Sequence, residues 1–212
     1  MSSFFMSFIV LVFPLLVLFF SIVIHEVAHG SMALMLGDPT AKERGRLTLN
    51  PIKHIDPFGT IILPLLLLLI TAGQGPIFGW AKPVPVNPYN FKDKRWGSLK
   101  VAAVGPAVNF LIAVIFGLAI RFVSLPASLL IPFEIISIYN FLWGLFNLLP
   151  IPPLDGSHIL FSLLPYTWNK FKRFLNQYGL LLLVMFLFFG ISFLFDIAAF
   201  LFTLTSGLSP MI

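Results

Sequence analysis

Long apolar runs separated by short polar, proline-rich loops set the pattern of this chain. The runs at 4–36, 98–122, 127–149 and 178–203 each supply the roughly 20 apolar residues that a helix needs to cross a hydrocarbon core. A fifth run, 58–73, is shorter: as a helix it rises only about 24 Å, against a core of about 30 Å. Pro64 interrupts it further, and Pro14 is a candidate kink in the first run. In the third run Ala102, Ala103, Gly105 and Ala107 are small enough for close helix packing in lipid, and Gly105-Pro106 predicts a local break. The fourth run carries Glu134, Asn140 and Asn147 and stops at Pro150-Ile151-Pro152-Pro153-Leu154-Asp155-Gly156, where three prolines in four residues cannot continue a helix. Unwound backbone at membrane depth is tolerated only where it lines a cavity.

The loops are basic. The stretches 38–57, 79–100 and 166–176 carry Lys42, Arg44, Arg46, Lys53, Lys82, Lys92, Lys94, Arg95, Lys100, Lys170, Lys172 and Arg173. Within them Arg46-Leu47-Thr48-Leu49 is a candidate short strand before the turn at Asn50-Pro51. Lys82-Pro83-Val84-Pro85-Val86 is a candidate edge strand, whose free backbone groups could pair with a guest strand through Val84 and Val86, or a rigid surface loop.

Composition sharpens this picture: 58% of residues are hydrophobic, 10% are charged and 25 are Phe, far from the roughly one-quarter charged of soluble domains. The expectation is an all-α polytopic membrane protein with four full spans, one re-entrant apolar segment and short β or extended elements in its loops. A single membrane-embedded domain over 1–212 is expected, with a catalytic core at about 4–165 and a C-terminal transmembrane helix at about 178–203. The first run lacks the basic flank of a signal peptide and is read as retained. The net charge of +5 belongs to loops at an anionic bilayer surface, and no basic cluster is long enough to suggest nucleic acid. Absence of Cys excludes disulfides, thiol nucleophiles and iron–sulfur ligation.

Against this oil, His25-Glu26-Val27-Ala28-His29 stands out. Residues four apart share a helix face, so His25 and His29 can aim both imidazoles at one ion. Zinc accepts neutral imidazole nitrogen, and Glu26 beside the pair can act as general base toward water, which is the mechanical content of the HExxH pattern. In this composition the pattern has a chance expectation of roughly one in a thousand. Asp155, on the proline-broken piece, is a natural third ligand or else a cap for the helix beginning near Ser157. His54 is a weaker third ligand than a hydrogen-bonded loop residue, and Asp196 reads as water-facing or capped rather than functional.

A topology follows by parity. If all three basic loops face the cytoplasm, a full crossing by 58–73 would put Asp155 across the bilayer from the histidines, whereas a segment that dips in and returns lets one ion be reached from both. Four full spans, both termini outside and a metal nearer the cytoplasmic face are expected.

These residues resemble the site-2 protease family of intramembrane zinc metalloproteases. The resemblance is carried by His25-Glu26-Val27-Ala28-His29, by Asn147-Leu148-Leu149-Pro150 and by Leu154-Asp155-Gly156. Supporting stretches are Gly45-Arg46-Leu47-Thr48-Leu49-Asn50-Pro51, Gly79-Trp80-Ala81-Lys82-Pro83-Val84-Pro85-Val86-Asn87-Pro88 and Gly105-Pro106-Ala107-Val108-Asn109, together covering most of 20–165. It implies one zinc held by His25, His29 and Asp155, with Glu26 activating water and Asn147 contacting substrate near the scissile bond. Asn109 carries over as a second substrate contact. It further implies regulated intramembrane proteolysis of transmembrane protein or peptide substrates by a multi-pass protein of the cell membrane, in a compact form without a PDZ or CBS domain. The competing reading is a transporter, or an inactive relative that binds an ion without hydrolysis.

Overall fold

The computed structural model describes residues 12–72, 79–93 and 96–211. The expected start of the first span at Phe4, the far end of the re-entrant segment, and Lys94 and Arg95 lie outside the described residues. Four helices are long and apolar enough to cross a membrane: α1 (Phe13–Met35), α4 (Gly97–Phe122), α5 (Ala127–Asn147) and α7 (Asn169–Phe189). Shorter helices are α2 (Thr40–Glu43), α3 (Leu63–Ile70), α6 (Asp155–Leu163) and α8 (Ile191–Ser206). The protein is thus an all-α polytopic membrane protein.

Helix α4 is the slab on which the others lie. Gly105, Asn109, Ala113 and Gly117 recur every four residues, share one face and are all buried. Small residues let neighbours approach closely: a Cβ on Gly117 would overlap the Thr205 side chain of α8. Ala113 packs with Ile138 and Phe141 of α5 and with Ala198 and Phe202 of α8 in the main apolar cluster. Helix α1 runs antiparallel to α4, since His29 meets Val101 while Ser21 and His25 meet Asn109.

Pro14 sits in the first turn of α1, where its missing N–H has no partner to lose, and does not kink the helix. The break expected at Gly105-Pro106 is absent, because α4 runs through Pro106 while packed on both sides by α1 and α5. The last apolar run, expected as one helix at 178–203, is two, divided at Gly190. Glycine has low helix propensity, and here the Phe186 ring occupies the space a Cβ would take, 2.4 Å away. The expected basic loop at 166–176 is helical from Asn169, and Lys172 donates to the carbonyls of Phe161 and Leu164 at the end of α6.

The short apolar segment leaves and returns at one level. Asp56 caps it through Phe58 N and Gly59 N, and it opens with a wide π-helical turn (Pro57–Ile62) that leads into α3. The chain is back beside its starting point at Trp80, whose N–H donates to Gly59 O at 3.2 Å and whose carbonyl accepts from Thr60 Oγ1 at 2.8 Å. A segment whose two ends are hydrogen-bonded to each other has not crossed.

Neither candidate strand forms a ladder, and no strand occurs among the described residues. Residues 81–87 have no regular secondary structure and are held instead by side chains and one backbone carbonyl. Arg46 Nη2 donates to Lys82 O at 2.6 Å, Lys82 N donates to His54 O at 2.8 Å, and Asn87 N donates to Asp38 Oδ2 at 2.6 Å. Prolines 83 and 85 remove the donors a ladder needs.

Asp38 is the buried anchor of this loop. Burial pushes its carboxyl up, yet the hydrogen bonds it accepts from Asn87 N–H, Thr40 and Asn90 outweigh that and hold it below the ordinary carboxylate range. A depressed folded value means that the ionised form contributes stability above the unfolded value, and that this is lost as pH falls through the folded one. Acidification below about pH 4 therefore loosens residues 81–92, and Asp38→Asn does so at neutral pH. Limited proteolysis in detergent reads this as several-fold faster nicking there.

Candidate metal centre

The HExxH residues occupy the fourth and fifth turns of α1, and both histidines are buried. His25 Nδ1 lies 2.7 Å from Asn109 Oδ1, and His29 Nδ1 lies 2.6 Å from the Val101 carbonyl. Both partners are oxygens that only accept, so each Nδ1 carries a hydrogen and each neutral ring turns a bare lone pair outward at Nε2.

The two Nε2 atoms are 2.9 Å apart, and Asp155 Oδ2 lies 2.9 Å from one and 3.2 Å from the other. Three electron-rich atoms converge here with no hydrogen left to place among them. A single proton would relieve one contact; a cation relieves all three. Two imidazoles and a carboxylate are a donor set that zinc accepts in catalytic sites, where a further position stays open. Asp155 does not cap its helix. It is the first residue of α6, with Leu154 at the cap position and no side-chain cap bond.

The backbone delivers Asp155 because the proline turn folds back on the end of α5. A Cβ on Gly156 would lie 2.2 Å from Leu148 O, and one on Gly179 of α7 would lie 2.6 Å from Pro152 O, so both contacts need glycine. Gly105 supplies room for the histidines themselves: a Cβ there would stand 2.5 Å from His29 Nε2 and 2.7 Å from His25 Cε1. The Trp143 ring meets His25 edge to face, with centroids 6.3 Å apart.

A cavity of about 400 Å³ opens beside the triad, and Glu26, Val84, Val86 and Asn147 all line it. Glu26 Oε2 accepts the Val84 N–H at 2.8 Å. Asn147 donates one N–H to Trp143 O at 3.0 Å. Asn109 departs from expectation. It is fully buried, does not line the cavity, and accepts from His25 Nδ1. His54 is buried in the loop on Thr48 O at 2.8 Å, Glu134 receives Met211 N–H at the far end of α5, and Asp196 lies on the exposed side of α8. None of the three joins the centre.

Sequence reasoning missed Val101, Trp143 and His158, which also lines the cavity. Only His158 carried a signal, three residues after Asp155 and so on the same side of α6.

Residues 122–188 match the model of peptidase family M50. That stretch contains Asp155 and His158 but not His25 or His29, and relatives are matched over longer stretches of the chain. YwhC of Bacillus subtilis is 44% identical over 154 residues, covering 68% of this chain and 66% of its own. Rip2 of Mycobacterium tuberculosis is 32% identical over 192 residues, covering 84% of this chain and 71% of its own. The chain belongs to peptidase family M50. The names of these relatives group them with the zinc metalloproteases, as does that of a Methanocaldococcus jannaschii protein, 28% identical over 112 residues that cover 51% of this chain and 33% of its own. The chain spans about two-thirds of the length of the first two relatives. No solved structure matches it.

The glycine at 105 yields a sharp expectation for this M50 protein. Gly105→Ala improves the helix propensity of α4 yet drives a methyl into both imidazoles. Zinc affinity, read by competition with a chromophoric chelator, falls at least tenfold while helicity is unchanged.

Proposed function

We propose that this chain is an endopeptidase, with one zinc per chain, that hydrolyses peptide bonds in or near the transmembrane segments of membrane-protein substrates. The observation that carries this reading is the meeting of His25, His29 and Asp155 at one point inside an apolar bundle, with Glu26 on the wall of the same cavity. M50 membership supports the protease half, and the burial of both histidines between α1, α4 and α5 supports the intramembrane half.

Zinc, when bound by those three residues, supplies Lewis-acid polarisation of the scissile carbonyl and makes water more acidic. Glu26 takes the proton from the attacking water and delivers it to the leaving amine. Asn147 orients the substrate backbone with the amide groups its Trp143 bond leaves over. A helical substrate has its carbonyls tied up, so it must unwind before it fits. Extended substrate lies along Val84 and Val86, the only residues of 83–86 with N–H groups to offer. The Val84 donor is held by Glu26, so a substrate carbonyl that takes it also frees the carboxylate for proton transfer.

The end of the bundle that holds the centre also carries the loop with Arg46, Lys53, Lys82 and Lys92. The positive-inside tendency therefore favours a site nearer the cytoplasmic face of the cell membrane.

Purified protein loaded with zinc is expected to cut a transmembrane peptide containing helix-breaking residues and to leave a stable apolar helix intact. Glu26→Gln lowers the rate by at least 10² while zinc content stays at one per chain. Normal cleavage by that variant defeats the mechanism. Asp155→Asn acts on the metal instead, and zinc content after dialysis against a weak chelator falls. Unchanged zinc there removes Asp155 from the ligand set.

A further inference from the structure

Behind His25 lies a chain of hydrogen bonds that runs in one direction only. Asn140 Nδ2 donates to the Ile136 carbonyl at 2.8 Å. Asn140 Oδ1 accepts from Asn109 Nδ2 at 3.0 Å, and that same Nδ2 group donates to the Ser21 carbonyl at 3.3 Å. Asn109 Oδ1 accepts from His25 Nδ1 at 2.7 Å. Asn109 is 0% and Asn140 1% exposed, so water cannot substitute for any member of the series.

We infer that Asn140 is a positioning residue for the metal centre, which it governs without touching it by fixing which nitrogen of His25 carries the hydrogen. A backbone carbonyl can only accept, so Ile136 O forces the Asn140 amide to point its nitrogen there and its oxygen at Asn109. That oxygen, with Ser21 O, forces the Asn109 nitrogen toward both and leaves the Asn109 oxygen facing His25. The ring must then place its hydrogen on Nδ1, and its lone pair stands at Nε2, where the ion is to bind. An isolated asparagine has no such polarity, because its two amide ends differ little in shape and can exchange by a flip. If Asn109 turned over, its N–H would meet Nδ1, the hydrogen would move to Nε2 and the ligand atom would be blocked.

The inference rests on the zinc reading above, and the test separates the two. Zinc affinity of the full chain in detergent is measured by chelator competition, cobalt absorption is recorded as a second report on the ligand field, and thermal unfolding is followed on the metal-free protein. Asn140→Leu, which keeps the branched outline of the side chain but has no acceptor, is expected to weaken zinc at least tenfold and to alter the cobalt spectrum, with unfolding of the metal-free form little changed. Asn140→Asp keeps an oxygen facing Asn109 and, when protonated, a hydrogen for Ile136 O, so it restores affinity to within about threefold of the parent. Asn140→Leu that binds zinc as tightly as the parent overturns the inference alone. So does a loss of affinity that Asn140→Asp fails to restore, which marks a packing role. A parent chain that holds no zinc overturns both the inference and the proposed function.

Discussion

Everything in this molecule depends on bringing three proton-free, electron-rich atoms together at a largely buried point between apolar helices. Two imidazole nitrogens and a carboxylate oxygen sit within 4.8 Å of one another, two from α1 and one from a turn about 130 residues later. In hydrocarbon such a group is costly unless an ion neutralises it, and misdirected unless each ring is turned the right way. The first requirement selects the ligands. The second reaches outward to Val101 and Asn109, which hold the rings by their far sides.

Helix α4 meets both requirements by being thin. Its small residues at every fourth position bring α1, α5 and α8 within contact, and Gly105 leaves the space in which the imidazoles stand. One face thereby serves as packing surface, holds the far side of each imidazole through Asn109 and Val101 O, and forms the back wall of the centre. A bulkier α4 would separate α1 from the Asp155 turn, and no choice of ligands would then repair the site.

The irregular stretch 81–87 shows polar groups being used to fix a loop that has no partner strand. Prolines strip it of donors, while Arg46, His54 and Asp38 clamp its remaining backbone groups from below. What is left, at Val84, meets Glu26. The lack of sheet pairing was therefore illegible, since pairing is decided by a partner that periodicity does not reveal. The misreading of 166–176 has a similar cause. A run of lysines and arginines looks like a loop, but the segment is helical from Asn169, and Lys172 turns its head to the carbonyls that end α6.

The order of amino acids alone determined the membrane setting, the number of helices long and apolar enough to cross it, and the His25–His29 pair that shares a helix face. Those features are local: a long apolar run has no other stable place, and histidines four apart on a helix share a face whatever surrounds them. The tertiary structure decided which asparagine meets the cavity and which stands behind a histidine, that Gly105 is a space and not a break, and that 178–203 bends at Gly190. Each of these is settled by a neighbour far along the chain, so nothing in the sequence around it could report it.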